Sequence, residues 1–293
     1  VLAFVLLIVF GRTGTTTYRL STESDLIQLP VIPADVQAVS IGITVLMVAI
    51  TAVAFWFTWR ARPTPLWLVS IFAVLFVIGF LTWAAAGALI PIPGLLVGAV
   101  GLSVPLIFGA LGGVISERVG VVNVAIEGQL LAGAFVSAVV ASVIKDSFFG
   151  PLLGLLAAVV AGVLVAFVLA AFSIKYFVDQ VIVGVVLNVL VVGLTSFLFS
   201  KVLAPNAALL NSPPRFPRLP IPLLSEIPIL GPVLFRQTII VYIMYVAVAV
   251  VWFALFKTRW GLRLRSVGEH PQAADTVGIN VNSTRFWNVS LAG

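Results

Sequence analysis

Runs of about twenty almost uninterrupted apolar residues recur along this chain, and they leave it few options. A helix of about 20 residues spans the ~30 Å hydrocarbon core of a bilayer. In lipid, backbone N–H and C=O groups must be paired within the segment or within a closed barrel, so long apolar runs are read as helices. The candidate spans are 36–58, 66–90, 97–116, 127–144, 150–173, 180–200 and 237–256. Two further apolar stretches, Val1 to Gly11 and one beginning near Phe286, meet the two ends of the sequence. We therefore expect a piece of a longer chain. A cleaved leader is a poor reading of residues 1–11, because neither a basic n-region nor a small-residue cleavage site fits. The expected fold class is all-α: a polytopic membrane protein of about eight to ten transmembrane helices. Residues 1–95 form N-terminal helices without an assignable motif, and 96–293 form a core.

Composition narrows the function. Charged residues make up 9% of the chain, against about 25% in soluble domains. There is no cysteine, so disulfides, thiolate metal sites and cysteine nucleophiles are excluded. His270 is the single histidine and reads as a loop residue. The net charge of +6 is spread over the connections between spans and is no nucleic-acid footprint. Alternating the spans puts Arg60, Arg62, Arg118, Lys175, Lys257, Arg259, Arg263, Arg265 and Arg285 on one side. Four of these fall within Lys257 to Arg265, immediately after a span, which places that side and the N-terminus in the cytoplasm. Trp56, Trp59, Trp252 and Trp260 fit an interfacial aromatic belt on the same side. On the other side lie a polar connection, 12–35, and a proline-rich one, 204–236, which cannot hold a long helix.

Polar residues at membrane depth are costly and mark bundle contacts or pathways. Asn188 lies mid-way through a span, as inter-helix glue or as a pathway contact. Gly120 and Asn123 interrupt the apolar stretch 119–126, a pattern that suits a broken helix lining a cavity. Glu127 and Gln129 follow; Glu127 is either a cavity residue or a charge favoured by the helix N-terminus. Small residues spaced by four, at Gly109/Gly113, Gly150/Gly154 and Ala158/Gly162, allow close helix packing in lipid.

The polar block from Arg263 to Gly293 is the other unusual stretch. Pro271 suits the first position of a short helix, Gln272 to Val277 supply about two turns, and Gly278 suits a left-handed C-terminal cap. Ala273 and Ala274 would leave a smooth face for a partner, or the helix simply lies on the membrane. The sequons at Asn282 and Asn288 fall at the cytoplasmic edge and are discounted.

The order Gly268, Pro271, Ala273, Ala274, Gly278, Ile279, Asn280, Val281, Arg285 resembles the cytoplasmic coupling loop of ABC importer permeases of the ribose, simple-sugar and nucleoside branch. SERVGVVNVAIEGQLLAGAF (116–135) and VDQVIVGVVLNVLVVGLTSFL (178–198) resemble permeases paired with nucleoside-binding lipoproteins. The three ordered matches cover roughly 99–293.

The resemblance implies a permease subunit, not an enzyme, working by alternating access in a bacterial inner membrane. It implies a coupling loop over 257–285, with Gly268, Pro271, Ala273, Ala274, Gly278 and Ile279 as ATPase-coupling candidates. Its motifs also carry Asn123, Glu127, Gly128, Asp179, Gln180 and Asn188, and the pathway candidates are Asn123, Glu127, Gln129 and Asn188. The implied partners are an ATP-binding subunit, a second permease (identical or related), and an extracytoplasmic substrate-binding protein. No G-x-x-x-x-G-K-[ST] occurs, so where ATP drives transport the ATPase is another chain, which would bind ATP and Mg; no cofactor is expected in this chain. Nucleosides lead as solute, with simple sugars next. The alternative is an ion-coupled secondary transporter, which usually places a carboxylate or a broken helix at the midplane, where the clearest polar group of this chain is neutral Asn188.

Overall fold

The computed structural model describes Leu7, residues 9–23 and residues 25–293. Most of the apolar stretch 1–11 thus lies outside the described residues. The chain divides into two compact units, one of residues 1–100 with 220–236, the other of 101–219 with 237–293.

The first unit pairs two long helices, α1 (Val36–Trp59) and α2 (Leu66–Ala84). Asp35 caps α1 by accepting from the Ala38 amide at 2.8 Å. Leu7, Ile43 and Met47 form a small core with Phe72, Leu75 and Phe76 packed on it. The polar connection 12–35, read from sequence as a loop, is partly a sheet. Strand β1 (Thr15–Arg19) runs antiparallel to β2 (Ile32–Asp35) and parallel to β3 (Leu89–Pro91). The threonine run explains it: alternate β-branched residues suit a strand, and buried Thr16 donates to Thr82 O (3.0 Å) and Ala85 O (2.9 Å). The expected span 66–90 accordingly stops at Ala84. The chain then turns through Gly87, at φ +79°, into β3.

Helix α3 (Ile92–Arg118) begins in the first unit and ends in the second. The second unit continues with α4 (Ile126–Val143), α5 (Gly150–Ala170) and α6 (Gln180–Leu198). Single π turns, Ala171–Lys175 and Phe199–Leu203, extend α5 and α6. After the short α7 (Ala207–Leu210) and a proline-rich stretch that holds two short strands, β4 (Arg218–Pro220) and β5 (Arg236–Thr238), comes α8 (Ile239–Lys257). Then follow α9 (Arg259–Glu269), α10 (Pro271–Thr276) and α11 (Val281–Leu291). Arg285, expected ahead of a new apolar helix, lies inside α11.

Seven helices among the described residues are long and apolar enough to cross a membrane. Their outward faces are bare of protein: Leu102 and Leu106 of α3 are 76% and 72% exposed. Water would not tolerate such surfaces over seven helices, whereas lipid does.

Packing within the second unit follows the small residues. A Cβ at Gly154 of α5 would lie 2.9 Å from Ala141 Cβ and 3.0 Å from Ser137 O of α4. One at Gly133 of α4 would lie 3.3 Å from Ala158 O. The Ile126 side chain lies across Gly109 and Gly113 of α3. Helix backbones can therefore approach closely, where dispersion replaces the hydrophobic drive that lipid removes.

Candidate functional site

Helix α3 ends at Arg118 and α4 starts at Ile126, with an irregular turn between them where a broken helix was expected. Gly120 enters that turn at φ +85°, a conformation glycine adopts without steric strain. Three amide side chains then hold the turn in shape. Asn123 and Gln129, 8% and 6% exposed, bond each other: Asn123 Nδ2 donates to Gln129 Oε1 at 3.1 Å. Asn123 Oδ1 also accepts from the Ala125 amide at 3.0 Å. Gln180 of α6 accepts from the Val122 amide at 3.2 Å.

Asn188 reaches the same turn from the middle of α6. Its Nδ2 donates to Val124 O at 2.9 Å, and its Oδ1 accepts from the Gly128 amide at 2.8 Å. Ala125, in the capping position of α4, has no side chain that could cap. Gly128 carries one of the first amides of α4, which lack intrahelical partners. Asn188 therefore caps α4 from another helix. Glycines permit the contact: a Cβ at Gly128 would sit 2.9 Å from Asn188 Oδ1, and one at Gly184 would sit 2.7 Å from Val124 Cβ. Asp179 caps α6 itself, accepting from the amides of Val181 (2.8 Å) and Ile182 (3.1 Å).

The four pathway candidates thus divide. Asn123, Gln129 and Asn188 converge on one turn and direct their amides at backbone or at each other. Glu127, one residue before Gly128, points outward and is exposed in the first turn of α4. There the helix dipole favours its charge. Among the described residues no cluster of three or more His, Asp or Glu forms a metal-holding group.

The polar block folds as read. Pro271 opens α10, Gly278 follows it at φ +84°, and the amides of Gly278 and Ile279 bond back to Asp275 O (2.9 Å) and Ala274 O (3.0 Å). Asn280 then caps α11 through the Ser283 amide at 2.9 Å. One expectation needs correction. Ala273 and Ala274 do not share an outward face: Ala273 is exposed, while Ala274 is buried in the chain's own core with Leu264 and Val267 of α9. A helix of six residues must anchor one side, and Ala274 is the residue it anchors with. The outward side consists of Gln272, Ala273, Thr276 and Val277, the last 74% exposed. Beside it opens a concavity of about 580 Å³, with Pro271, Gln272, Asp275 and Asn282 among its lining residues. The sequon residue Asn288 is buried and donates to Thr284 O at 2.7 Å.

The two regions meet. Arg285 Nε of α11 donates to Val119 O at 3.2 Å. The backbone of Gly268, at the end of α9, lies so close to the end of α3 that a Cβ there would be 2.3 Å from Arg118 O. Sequence reasoning marked both stretches, but nothing in either indicated that they touch.

Seven apolar helices, a helix break held by amides and a capped polar loop docked on that break define an all-α, polytopic membrane protein. Residues 95–293 match the family model for the branched-chain amino acid transport system / permease component, and the chain belongs to that family. It is 45% identical to the guanosine ABC transporter permease protein NupQ of Bacillus subtilis, over 64% of this chain and 60% of that protein. It is 42% identical to the nucleoside ABC transporter permease protein NupC of Lactococcus lactis, over 65% and 61% respectively. A putative glucose ABC transporter permease protein, TsgC13 of Haloferax volcanii, is 36% identical over 68% and 59%. The chain thus spans about three fifths of the length of these relatives. No solved structure matches it significantly.

Proposed function

We propose that this chain is the membrane-spanning subunit of an ATP-driven importer of nucleosides, with simple sugars as the next solute class. It is a conduit and carries out no chemistry of its own. A separate ATP-binding subunit, holding ATP and Mg, docks on the outward side of α10. A second permease, identical or related, completes the passage, and an extracytoplasmic binding protein delivers the solute. The protein sits in the plasma membrane with its N-terminus and residues 257–285 in the cytoplasm, as the cluster Lys257, Arg259, Arg263 and Arg265 argues.

The observation that carries this reading is the small helix α10. It is anchored by Ala274 and presents Ala273 and Val277 outward on a stretch too polar to enter lipid. An exposed apolar residue on a helix anchored to the chain's own core, beside a concavity lined by Pro271, Gln272, Asp275 and Asn282, is what a docking partner needs. Relatives named for guanosine and nucleoside transport support the solute class.

The test is uptake by the full-length protein in its native complex, reconstituted in liposomes. Labelled guanosine should accumulate when ATP is supplied on the cytoplasmic face, and accumulation should survive ionophores that collapse proton and sodium gradients. Uptake that follows the ion gradient and ignores ATP overturns the reading in favour of an ion-coupled carrier. ATP-driven uptake of labelled ribose or glucose, with none of guanosine, replaces the solute class.

A further inference from the structure

We propose that Arg285 and Gly268 form the joint through which the loop 257–285 acts on the α3–α4 break. They are positioning residues, acting on the pathway through the turn 119–125 and not by touching solute. The inference rests on the importer reading and adds where in this chain the motion of α10 is delivered.

Four observations converge on this joint. The first is contact between backbones. Gly268 abuts the end of α3, since a Cβ added there would lie 2.3 Å from Arg118 O and 3.2 Å from the Gly120 amide nitrogen. No side chain cushions the approach, so a displacement of α9 must displace the turn. The second is a polar tie from the other flank of the loop: Arg285 Nε donates to Val119 O at 3.2 Å, and its guanidinium lies over Gly120. An orphan carbonyl at the end of α3 thereby receives a charged donor from α11.

The third observation is a shared core. Val119, Val121 and Ala125 of the turn are buried in one cluster with Leu264 and Val267 of α9, Ala274 of α10 and Val289 of α11. Close-packed interiors transmit displacement and do not absorb it. Loop and turn therefore move as one body, and the turn carries Asn123, Gln129 and the Asn188 cap on α6 with it.

The fourth suggests a second arrangement. The Ser116 hydroxyl, one turn before the break, is completely buried and has no hydrogen-bond partner among the described residues. Leaving a buried hydroxyl unpaired is unfavourable. A turn that shifts between two states can satisfy it in the other one. The unpaired hydroxyl sits beside the segment that the joint would move.

The experiment compares the native complex with Arg285→Met, Arg285→Lys and Gly268→Ala, measuring complex yield, ATP hydrolysis and guanosine uptake in the same liposomes. Met keeps the length of the stem and removes the donor, whereas Lys keeps a donor. Arg285→Met should assemble and hydrolyse ATP near the native rate, while uptake per ATP falls about tenfold, within the range by which mutations along a coupling route act. Gly268→Ala, whose Cβ would lie 2.3 Å from a backbone oxygen, should shift the turn and lower both the yield and the ratio of uptake to hydrolysis. Arg285→Lys should recover most of the lost coupling.

A purely structural role predicts something else: yield, hydrolysis and uptake fall together and the ratio of uptake to hydrolysis stays native. That outcome, or a native ratio in Arg285→Met at full yield, overturns the joint while leaving the importer reading in place. A native complex that shows no ATP-linked uptake overturns both.

Discussion

Replacing Asn188 by leucine tests the cross-helix cap most directly. The substitution removes a donor 2.9 Å from Val124 O and an acceptor 2.8 Å from the Gly128 amide, and it supplies an apolar side chain that lipid accepts. Hydrogen bonds between membrane helices average about 0.6 kcal/mol and reach about 1.7. Losing an N-terminal cap costs about 1 kcal/mol, because the freed amide has nowhere else to go. Ala125 cannot substitute, having no side-chain acceptor. Leucine is also bulkier at the branch point, and Gly128 leaves no slack in front of it. The loss should come to roughly 1.5–2.5 kcal/mol, the sum of one such inter-helix bond and one such cap. For a chain of this size that lowers the melting temperature by roughly 2–4 °C. The assay is a thermal melt of the purified protein in nanodiscs. Val189→Leu, a neighbouring change at a side chain that is 69% exposed, serves as control. If Asn188→Leu melts with the native protein and the control, the cap does not hold α4, and Asn188 must be explained by contact with solute alone.

Three further outcomes follow from the geometry. Ala273→Arg should give normal yield of the permease but lose the ATP-binding subunit on co-purification, because Ala273 is exposed. Ala274→Arg should lose the permease itself, because it forces a charge into a core position that is 3% exposed; equal behaviour of the two variants refutes the assignment of faces. In a chain free of native cysteine, Gln272→Cys should resist a membrane-impermeant thiol reagent in intact cells and Asn211→Cys should label, and the opposite pattern inverts the topology. Ser116→Ala should leave the melting temperature unchanged or raised by a few degrees, since an unpaired buried hydroxyl is worth about 1–3 kcal/mol when removed, yet uptake should fall; a lowered melting temperature shows that the hydroxyl is already satisfied.

Much of this protein is legible in the order of its residues, for a reason particular to lipid. A spanning helix closes its hydrogen bonds within itself, so its presence depends on apolar length and on little else. The expected spans at 127–144 and 237–256 accordingly lie within two residues of the helices Ile126–Val143 and Ile239–Lys257. Local chemistry also told the ends of α10, since proline at a first turn and glycine in a left-handed cap act through adjacent backbone alone. The exception is instructive. The run 66–90 is apolar throughout, but its last part leaves the helix at Ala84 because β1 offers it a strand to pair with.

Tertiary structure decided everything that depends on which face of a helix meets which neighbour. Neighbouring alanines in α10 are equivalent on paper, and six residues are too few for a periodic pattern to separate them; only the core beneath Ala274 does so. Asn188 and the Gly128 amide are 60 residues apart, and Arg285 and Val119 are separated by 166. No local propensity encodes such pairings. They exist because a polar group held away from water takes whatever partner the packed backbone brings within reach, and that is known only once the chain has folded.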